Sequence, residues 1–174
     1  MSIQVIYLSH NYLREKLEKV MNIIEIIDKE KKSEITNKIL RALPAWFGIE
    51  SAIVDYVIDV KPMKFWAANE NDQEIGFIAI NKHFDKSAEI HVMGILESHH
   101  RKGVGKLLVK KAESYLKDNS IPFLQVKTLS PAHPDKGYAQ TRKFYQNIGF
   151  TPIEEFKTLW GEANPALMMM KYIS

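Results

Sequence analysis

The apolar residues of the chain follow different periods before and after about residue 62. Before it, apolar positions recur every three or four residues, as on amphipathic helices. After it, short and nearly continuous apolar runs alternate with helical patterns, as for sheet strands that are covered on both faces. This order of elements predicts a mixed α/β sheet with helices on both of its faces.

The first part is predicted to contain one strand and three helices, of which Asn11 would cap the first. The charged stretch Asp28–Glu34 predicts a solvated turn, Ser33 is a candidate cap for the second helix, and Pro44 ends that helix. The predicted elements are a strand over 3–8 and helices over 13–27, 35–43 and 49–60.

The second part is predicted to contain six strands and two helices. The strands are predicted over 63–68, 74–81, 88–96, 123–129, 151–159 and 166–172, and the helices over 104–119 and 138–147. The helix over 104–119 lies between two buried strands, which predicts a parallel pair joined by a right-handed crossover.

A glycine-containing turn, His99–Lys106, separates a predicted strand from the helix that follows. Glycines let a ligand approach the backbone, and the first N–H groups of a helix favour an anion. The turn matches neither the G-x-G-x-x-G fingerprint nor a P-loop. The local pattern therefore leaves two interpretations open, a phosphate site and a capped helix with a solvated basic face.

Composition narrows the choice of function. The formal net charge of +3 over 174 residues is too small to predict a nucleic-acid partner. Because there is no cysteine, a disulfide framework, a thiol nucleophile and a cysteine-based zinc site are excluded, and a cytoplasmic setting is favoured. We see no secretory signal, and no apolar run approaches the ~20 residues of a membrane span. We therefore expect neither a metal nor a membrane partner.

Two motifs together resemble those of the GNAT superfamily of acetyl-CoA-dependent N-acetyltransferases. His100–Gly105 is similar to the family's [Q/R]-x-x-G-x-[G/A] turn, and Phe144-Tyr145 with Gly149-Phe150 is similar to its later Phe-Tyr-x-x-x-Gly-Phe motif. The resemblance covers about residues 63–172. It implies one domain over 1–174, with 1–62 on the acceptor side. It also implies a splayed, mostly antiparallel sheet with one parallel strand pair.

The resemblance implies an acetyl-CoA site at the glycine turn and along the strand before it. Pantetheine would lie where the strand ending near Leu96 parts from the strand beginning near Phe123, and the pyrophosphate would lie on the turn. His100 stands where the family usually has Gln or Arg. The residues expected to bind acetyl-CoA are Ile95, Leu96, His100, Arg101, Lys102, Gly103, Val104, Gly105 and Lys106.

The resemblance also implies a direct transfer of acetyl to a primary amine, which needs a base. Glu89 is the first candidate, with a pKa that burial would raise, and His91 on the same strand face is the alternative. Tyr145 matches the tyrosine that protonates the departing thiolate. The N–H of Ile95 would stabilise the oxyanion, aimed by a bulge at Gly94.

The acceptor itself is not identified by the sequence and is expected to be a small-molecule or peptide amine. Its binding walls are predicted among Trp46, Phe47, Glu50, Asp55, Trp160 and Glu162. Three other classes stay open: a non-catalytic acyl-CoA-binding module, a toxin-like enzyme that acetylates charged tRNA, and a helix-turn-helix regulator built from 11–60. Exposed last strands are also able to pair between subunits, which makes a homodimer one expectation.

Overall fold

The computed structural model describes residues 21–174, and these residues form a seven-stranded sheet in the order β1-β2-β3-β4-β5-β7-β6. The predicted strand over 3–8 and its neighbour Asn11 lie outside the described residues. The strands are β1 Asn22–Glu25, β2 Lys64–Glu70, β3 Gln73–Phe84, β4 Ser87–Ile95, β5 Phe123–Leu129, β6 Thr151–Phe156 and β7 Ala166–Tyr172. The helices are α1 Lys29–Arg41, α2 Glu50–Asp59, α3 Val104–Asp118 and α4 Lys136–Asn147, with a 3₁₀ turn at Glu97–His99.

The prediction was wrong between Asn22 and Glu34. Residues 22–25 of the helix predicted over 13–27 form strand β1, which pairs antiparallel with β2, and residues 13–20 of that helix lie outside the described residues. The charged stretch is the first turn and a half of α1, which begins at Lys29 behind the cap Asp28, whose Oδ1 accepts from the Lys31 amide at 2.7 Å. A short apolar run of this kind is compatible with a helix or with a strand, and pairing with β2 selects the strand.

Two buried polar residues explain why α1 begins so early. Lys32 is only 6% exposed, and its Nζ donates to the carbonyl of Met63 at 2.6 Å. Ser33 is not a cap, because it lies inside α1 and its hydroxyl donates to the carbonyl of Val57 at 2.7 Å. These contacts fix the first turns of α1 against the end of α2.

Two hydrophobic cores cover the two faces of the sheet. On β2, Phe65 belongs to one core and the neighbouring Trp66 to the other, as strand alternation requires. The core beneath α1 and α2 includes Ile35, Ile39, Leu40, Ile53, Val60, Phe77 and Val92. The core beneath α3 and α4 includes Val104, Leu108, Leu116, Ile90, Leu124, Tyr145 and Met169. The predicted mixed sheet with helices on both faces is confirmed.

Strand β4 has antiparallel partners on one side and a short parallel partner on the other. Its parallel pairing with β5 covers Ser87–Ile90, and the other strand pairs are antiparallel, so the predicted single parallel pair is confirmed. A bulge interrupts the pairing with β3, because Ala79 faces Val92 while Ile80 faces Ile90. The extra residue is His91.

The bulge does not lie at Gly94, where we predicted it. Gly94 pairs in register with Phe77, and its missing side chain serves packing instead. A Cβ on Gly94 would lie 2.9 Å from Cγ2 of Ile39 and 3.1 Å from Cε1 of Phe77. The glycine therefore lets α1 approach the sheet closely.

Candidate functional site

Strands β4 and β5 part after Ile90 and Val126, the last residues that they pair. β4 continues to Ile95 and β5 to Leu129, so a gap opens between the carboxyl ends of two parallel strands. Ligands in α/β sheets bind at such ends. We call this opening, between His91–Ile95 and Lys127–Leu129, the strand gap.

Backbone groups of Ile95 face the strand gap. The amide of Leu96 donates to the carbonyl of Ile75 at 2.9 Å, so Ile95 and Gly76 form a pair without mutual hydrogen bonds. In an antiparallel ladder, the N–H and C=O of such a residue point away from the partner strand. The Ile95 amide is therefore available on the side where β5 has departed.

Ile95 and Leu96, both predicted to bind the ligand through their backbone, differ in which of their backbone groups are already hydrogen-bonded within the protein. Both backbone groups of Leu96 are engaged within the protein, the amide with Ile75 and the carbonyl with the amide of His99 at 2.8 Å. The carbonyl of Ile95 accepts a hydrogen bond from Nε2 of His100 at 2.7 Å. Of the two residues, Ile95 is the one that presents a backbone donor to the strand gap.

The glycine turn ends in a helix start without a side-chain cap. Arg101 and Gly103 have positive φ angles of 59° and 86°, and Gly103 is the N-cap of α3. The first backbone bond of α3 runs from the amide of Leu107 to the carbonyl of Gly103 at 3.1 Å. The amides of residues 104–106 precede it, so they have no carbonyl partner within the helix and are available to an anion.

The side chains of the turn divide into two groups. Arg101, Lys102 and Lys106 are exposed and add positive charge around the helix start. The His100 ring turns the other way, toward Ile95, and also lies edge-on to the Trp46 ring with 5.3 Å between centroids. His100 thus holds the turn against β4, while the exposed basic residues face solvent.

Gly105 brings α3 into contact with α4 and β4. A Cβ on this residue would lie 3.0 Å from Cζ of Phe144 and 3.1 Å from Cδ1 of Ile95. Any side chain would have to displace one of them. This contact connects the two sequence motifs, because Phe144 belongs to the second one.

Tyr145 is buried beside the same contact, in the core under α3 and α4. It is 4% exposed, and its ring meets the rings of Phe144 and Phe150 edge-on at 5.2 and 5.3 Å. Burial raises the pKa of its phenol far above the usual value. The phenol therefore stays protonated and is a hydrogen-bond donor at any physiological pH.

Glu89 lies on the opposite face of the sheet, where the pairing of β4 and β5 ends. Its carboxylate receives Nζ of Lys127 at 2.7 and 2.9 Å and Nε2 of His83 at 2.6 Å, and its side chain is 10% exposed. Burial alone would raise the pKa of Glu89, but the hydrogen bonds from Lys127 and His83 outweigh it and the pKa is lowered. The expectation of a raised pKa was wrong, because the sequence did not show which cations face this carboxylate.

His91, the bulge residue, faces α2. Its Nε2 lies 3.2 Å from Oδ2 of Asp59, and its ring meets that of Tyr56 edge-on with 5.4 Å between centroids. Burial lowers the pKa of His91, although Asp59 and Glu89 oppose that effect. Asp59 and Lys127 were not predicted, because neither the side of α2 that faces the sheet nor the register of β5 follows from the sequence.

The loop between α1 and α2 contacts the glycine turn and the start of α4. The hydroxyl of Tyr138 donates to the carbonyl of Trp46 at 2.7 Å, which links this loop to the start of α4. Phe47 lies edge-on to Tyr56 at 5.9 Å. Of the other predicted wall residues, Glu50 forms an exposed ion pair with Arg41 at 2.6 Å.

The strand gap, the uncapped helix start and the buried tyrosine lie in a part of the chain that matches a known family. Residues 61–152 match the family model of the acetyltransferase (GNAT) domain, and both motifs lie within them. The chain belongs to the GNAT acetyltransferase family.

A curated relative supports this membership of the GNAT family. An uncharacterised N-acetyltransferase of Chlorobaculum tepidum is 31% identical over 103 residues, which are 59% of this chain and 56% of the relative. The match therefore spans little more than half the length of that protein.

Solved structures share the GNAT fold. A crystal structure from Desulfovibrio desulfuricans, described as a GNAT-family acetyltransferase, aligns with a TM-score of 0.76 at 12% identity over 89% of this chain and 100% of its own. The ribosomal-protein-S18-alanine N-acetyltransferase of Escherichia coli aligns with a TM-score of 0.68 at 15% identity, over 89% of this chain and 95% of its own.

One solved structure that shares this fold contains acetyl coenzyme A. A Bacillus anthracis structure described as a streptothricin acetyltransferase, in complex with acetyl coenzyme A, aligns with a TM-score of 0.57 at 21% identity. That alignment covers 64% of this chain and 63% of the other. Within residues 21–174 of the GNAT chain, no helix is long and apolar enough to cross a membrane.

Proposed function

We propose that this GNAT protein transfers the acetyl group of acetyl-CoA directly to a primary amine of a small molecule or peptide. The observation that carries the proposal is the position of the strand gap, which lies beside an uncapped helix start surrounded by basic side chains. A phosphate-bearing arm needs an anion site at one end and backbone donors along its length, and this edge of the sheet offers both. The absence of cysteine supports a cytoplasmic setting.

The described residues fit acetyl-CoA in two places. The amides of 104–106 and the side chains of Arg101, Lys102 and Lys106 suit the pyrophosphate. In the strand gap, the amide of Ile95, which points away from β3, would face the acetyl-bearing end of the pantetheine arm. The Ile95 carbonyl is already accepting from His100, so that ring has to share this oxygen with the arm or release it.

The chemistry that acetyl-CoA supplies is an activated acetyl group in a thioester, and the chain's own residues would handle protons and charge. The Ile95 amide is the donor that we assign to the developing oxyanion. Tyr145, whose pKa burial raises, would donate a hydrogen bond from the α4 face to the sulfur as negative charge develops there. We therefore place the leaving-group side of the reaction on the α3 and α4 face.

The amine side of the reaction would lie on the opposite face, beside α2. Glu89 and His91 are the two candidate bases there. Both oxygens of Glu89 contact Lys127, and the pKa of Glu89 is lowered. The carboxylate therefore stays ionised at neutral pH, which suits an ion pair that stabilises the start of the strand gap. A base has to accept a proton near neutral pH, which a carboxylate held in this way does poorly.

Two measurements in sequence test the proposed function. Thermal unfolding is first followed with acetyl-CoA, using ATP and NADH as controls, because a ligand of the folded state raises the Tm. We expect a shift with acetyl-CoA that exceeds both controls. A panel of primary amines is then assayed for release of free CoA thiol, and acetylated products are identified by mass spectrometry.

Each outcome of these measurements has a distinct meaning. A Tm shift with acetyl-CoA and turnover of at least one amine supports the proposal. A Tm shift without turnover of any amine class, peptides included, would favour a non-catalytic acyl-CoA-binding module. Absence of any shift with acyl-CoAs contradicts the assigned pocket.

A further inference from the structure

His91 occupies the position at which the strand gap begins. It is the extra residue of the β4 bulge, directly after the last residue that β4 pairs with β5. Its Nε2 is turned to Asp59, and its ring edge is packed on Tyr56, both from α2. Within residues 21–174, its Nδ1 has no protein hydrogen-bond partner.

We propose that Asp59 is a positioning residue that holds His91 with its proton on Nε2, so that Nδ1 accepts the proton of the acceptor amine. This inference rests on the proposed function. A carboxylate facing one ring nitrogen selects the tautomer that donates to it, which leaves the other nitrogen with a free lone pair. The 3.2 Å separation between Nε2 and Oδ2 places the carboxylate within reach of that role, although the contact is not aligned as a full hydrogen bond.

The proposed step balances without a further reagent. The amine reacts in its neutral form: its lone pair forms the bond to the acetyl carbon, and its nitrogen gives one proton to Nδ1 of His91. The bond from that carbon to sulfur breaks, and its electron pair leaves with the sulfur. The imidazolium returns to the neutral ring by releasing its proton to solvent, and Asp59 keeps its charge throughout.

The charges around His91 suit a base that is neutral near pH 7. The charged and titratable groups that face it are Asp59 and Tyr56 from α2, Glu89 from β4 and Lys127 from β5. Burial disfavours the imidazolium, and the two carboxylates partly compensate. Since Glu89 is neutralised by Lys127, Asp59 is the carboxylate whose charge this step would use.

Replacement of Asp59 by Asn separates a positioning role from a structural one. Asp59 is 49% exposed, so this variant is expected to keep the Tm of the wild type. Asp85→Asn is the control, because the Asp85 side chain is 96% exposed, lies outside the candidate site and loses the same charge. Asp59→Glu restores the carboxylate and should recover part of the activity.

The first readout does not depend on activity. The His91 ring nitrogens are followed by ¹⁵N NMR across pH in wild type and variants, at matched ionic strength. We expect the proton on Nε2 in the wild type. In Asp59→Asn we expect a mixture of tautomers and a lower pKa, because the charge that raises the pKa of His91 is gone. Asp85→Asn should leave both properties as they are in the wild type.

The second readout is the pH profile of kcat with one amine that the wild type acetylates. Asp59→Asn should lower kcat about tenfold with little change in KM, and should move the acidic limb to lower pH. His91→Gln should cost about a hundredfold or more in kcat while the Tm shift with acetyl-CoA is kept. A merely structural Asp59 would lower the Tm and leave the acidic limb where it is.

Failure of this inference differs from failure of the proposed function. If wild-type His91 carries its proton on Nδ1, or if Asp59→Asn changes neither the tautomer nor the acidic limb, the positioning role is overturned. If instead Glu89→Gln abolishes turnover and His91→Gln does not, the base is Glu89. A wild type that acetylates no amine contradicts the proposed function, and the NMR tautomer then decides separately whether Asp59 positions the ring.

Discussion

The ammonium of Lys127 lies 2.7 and 2.9 Å from the two carboxylate oxygens of Glu89, across the point where strands β4 and β5 part. Glu89 is within the paired stretch, opposite Gln125, whereas Lys127 is one residue beyond the last pair, Ile90 and Val126. The ion pair thus connects β4 and β5 diagonally at the start of the strand gap. It therefore lies at the boundary between the paired and the open parts of these two strands.

Glu89→Gln is expected to destabilise the protein by about 2–4 kcal/mol, because it leaves Lys127 partly buried without its counter-ion. Urea unfolding at neutral pH measures this loss. The double variant Glu89→Gln/Lys127→Met should be less destabilised than the sum of the two single variants. Arg41→Gln, which breaks an exposed ion pair, should cost far less. Additive losses in the double variant would contradict a coupled pair.

The ion pairs of Glu74 should make the stability of the protein depend on pH. Hydrogen bonds from Lys31 and Lys38 lower the pKa of this carboxyl to about 2, and both ion pairs, at 3.0 Å, tie α1 to the start of β3. Because the folded pKa is below the unfolded one, the contribution is complete above about pH 5 and is lost as pH falls toward 2.

The variant Glu74→Gln should therefore lose little stability in acid and more at neutral pH. We expect a difference of about 1 kcal/mol or less at neutral pH, since the two lysines are well exposed to solvent. Unfolding free energies of wild type and variant, compared from neutral to about pH 3, measure it. Curves that stay parallel over that range would contradict the assignment of the low pKa to Glu74.

Gly105→Ala tests the contact between the helix start and the second motif. Alanine favours a helix, but here its Cβ would press on Phe144 and Ile95, so we expect destabilisation of about 1–3 kcal/mol and weaker acetyl-CoA binding. Lys117→Ala is the control, because Lys117 is exposed in the last turn of the same helix, far from its start. Calorimetric titration with acetyl-CoA compares them. Equal binding by both variants would show that the packing at Gly105 does not shape the site.

Much of the sheet could be predicted from the chain because its strands are short, apolar and bounded by turns. The parallel crossover was predicted correctly, since a helix between two buried strands leaves little other choice. Between Met21 and Ile27, however, the same apolar spacing fits a helix and an edge strand, and pairing with β2 decided it. The burial of Lys32 could not be anticipated, because the carbonyls that accept its hydrogen bonds belong to Lys61 and Met63, far along the chain.

The candidate site was predicted in part for a similar reason. The glycine turn and Tyr145 follow from motifs that are local in sequence. The partners of Glu89 and His91 are set by long-range geometry, namely the register of β5 and the side of α2 that faces the sheet. Residue types alone suggested a raised pKa for Glu89, and the actual direction depended on Lys127.

Tyr145→Phe separates the phenol from the ring. The ring packs on Phe144 and Phe150, so the variant should keep the Tm and the affinity for acetyl-CoA. If the hydroxyl stabilises the departing thiolate, kcat should fall by about tenfold or more with KM nearly unchanged. Because burial raises the pKa of the phenol so far, wild-type kcat should show no basic limb from this group below about pH 10.

Tyr115→Phe, which alters a ring on the other side of α3 near Lys64, is the control and should leave kcat unchanged. Equal kcat values for Tyr145→Phe and wild type would mean that Tyr145 only fills the core.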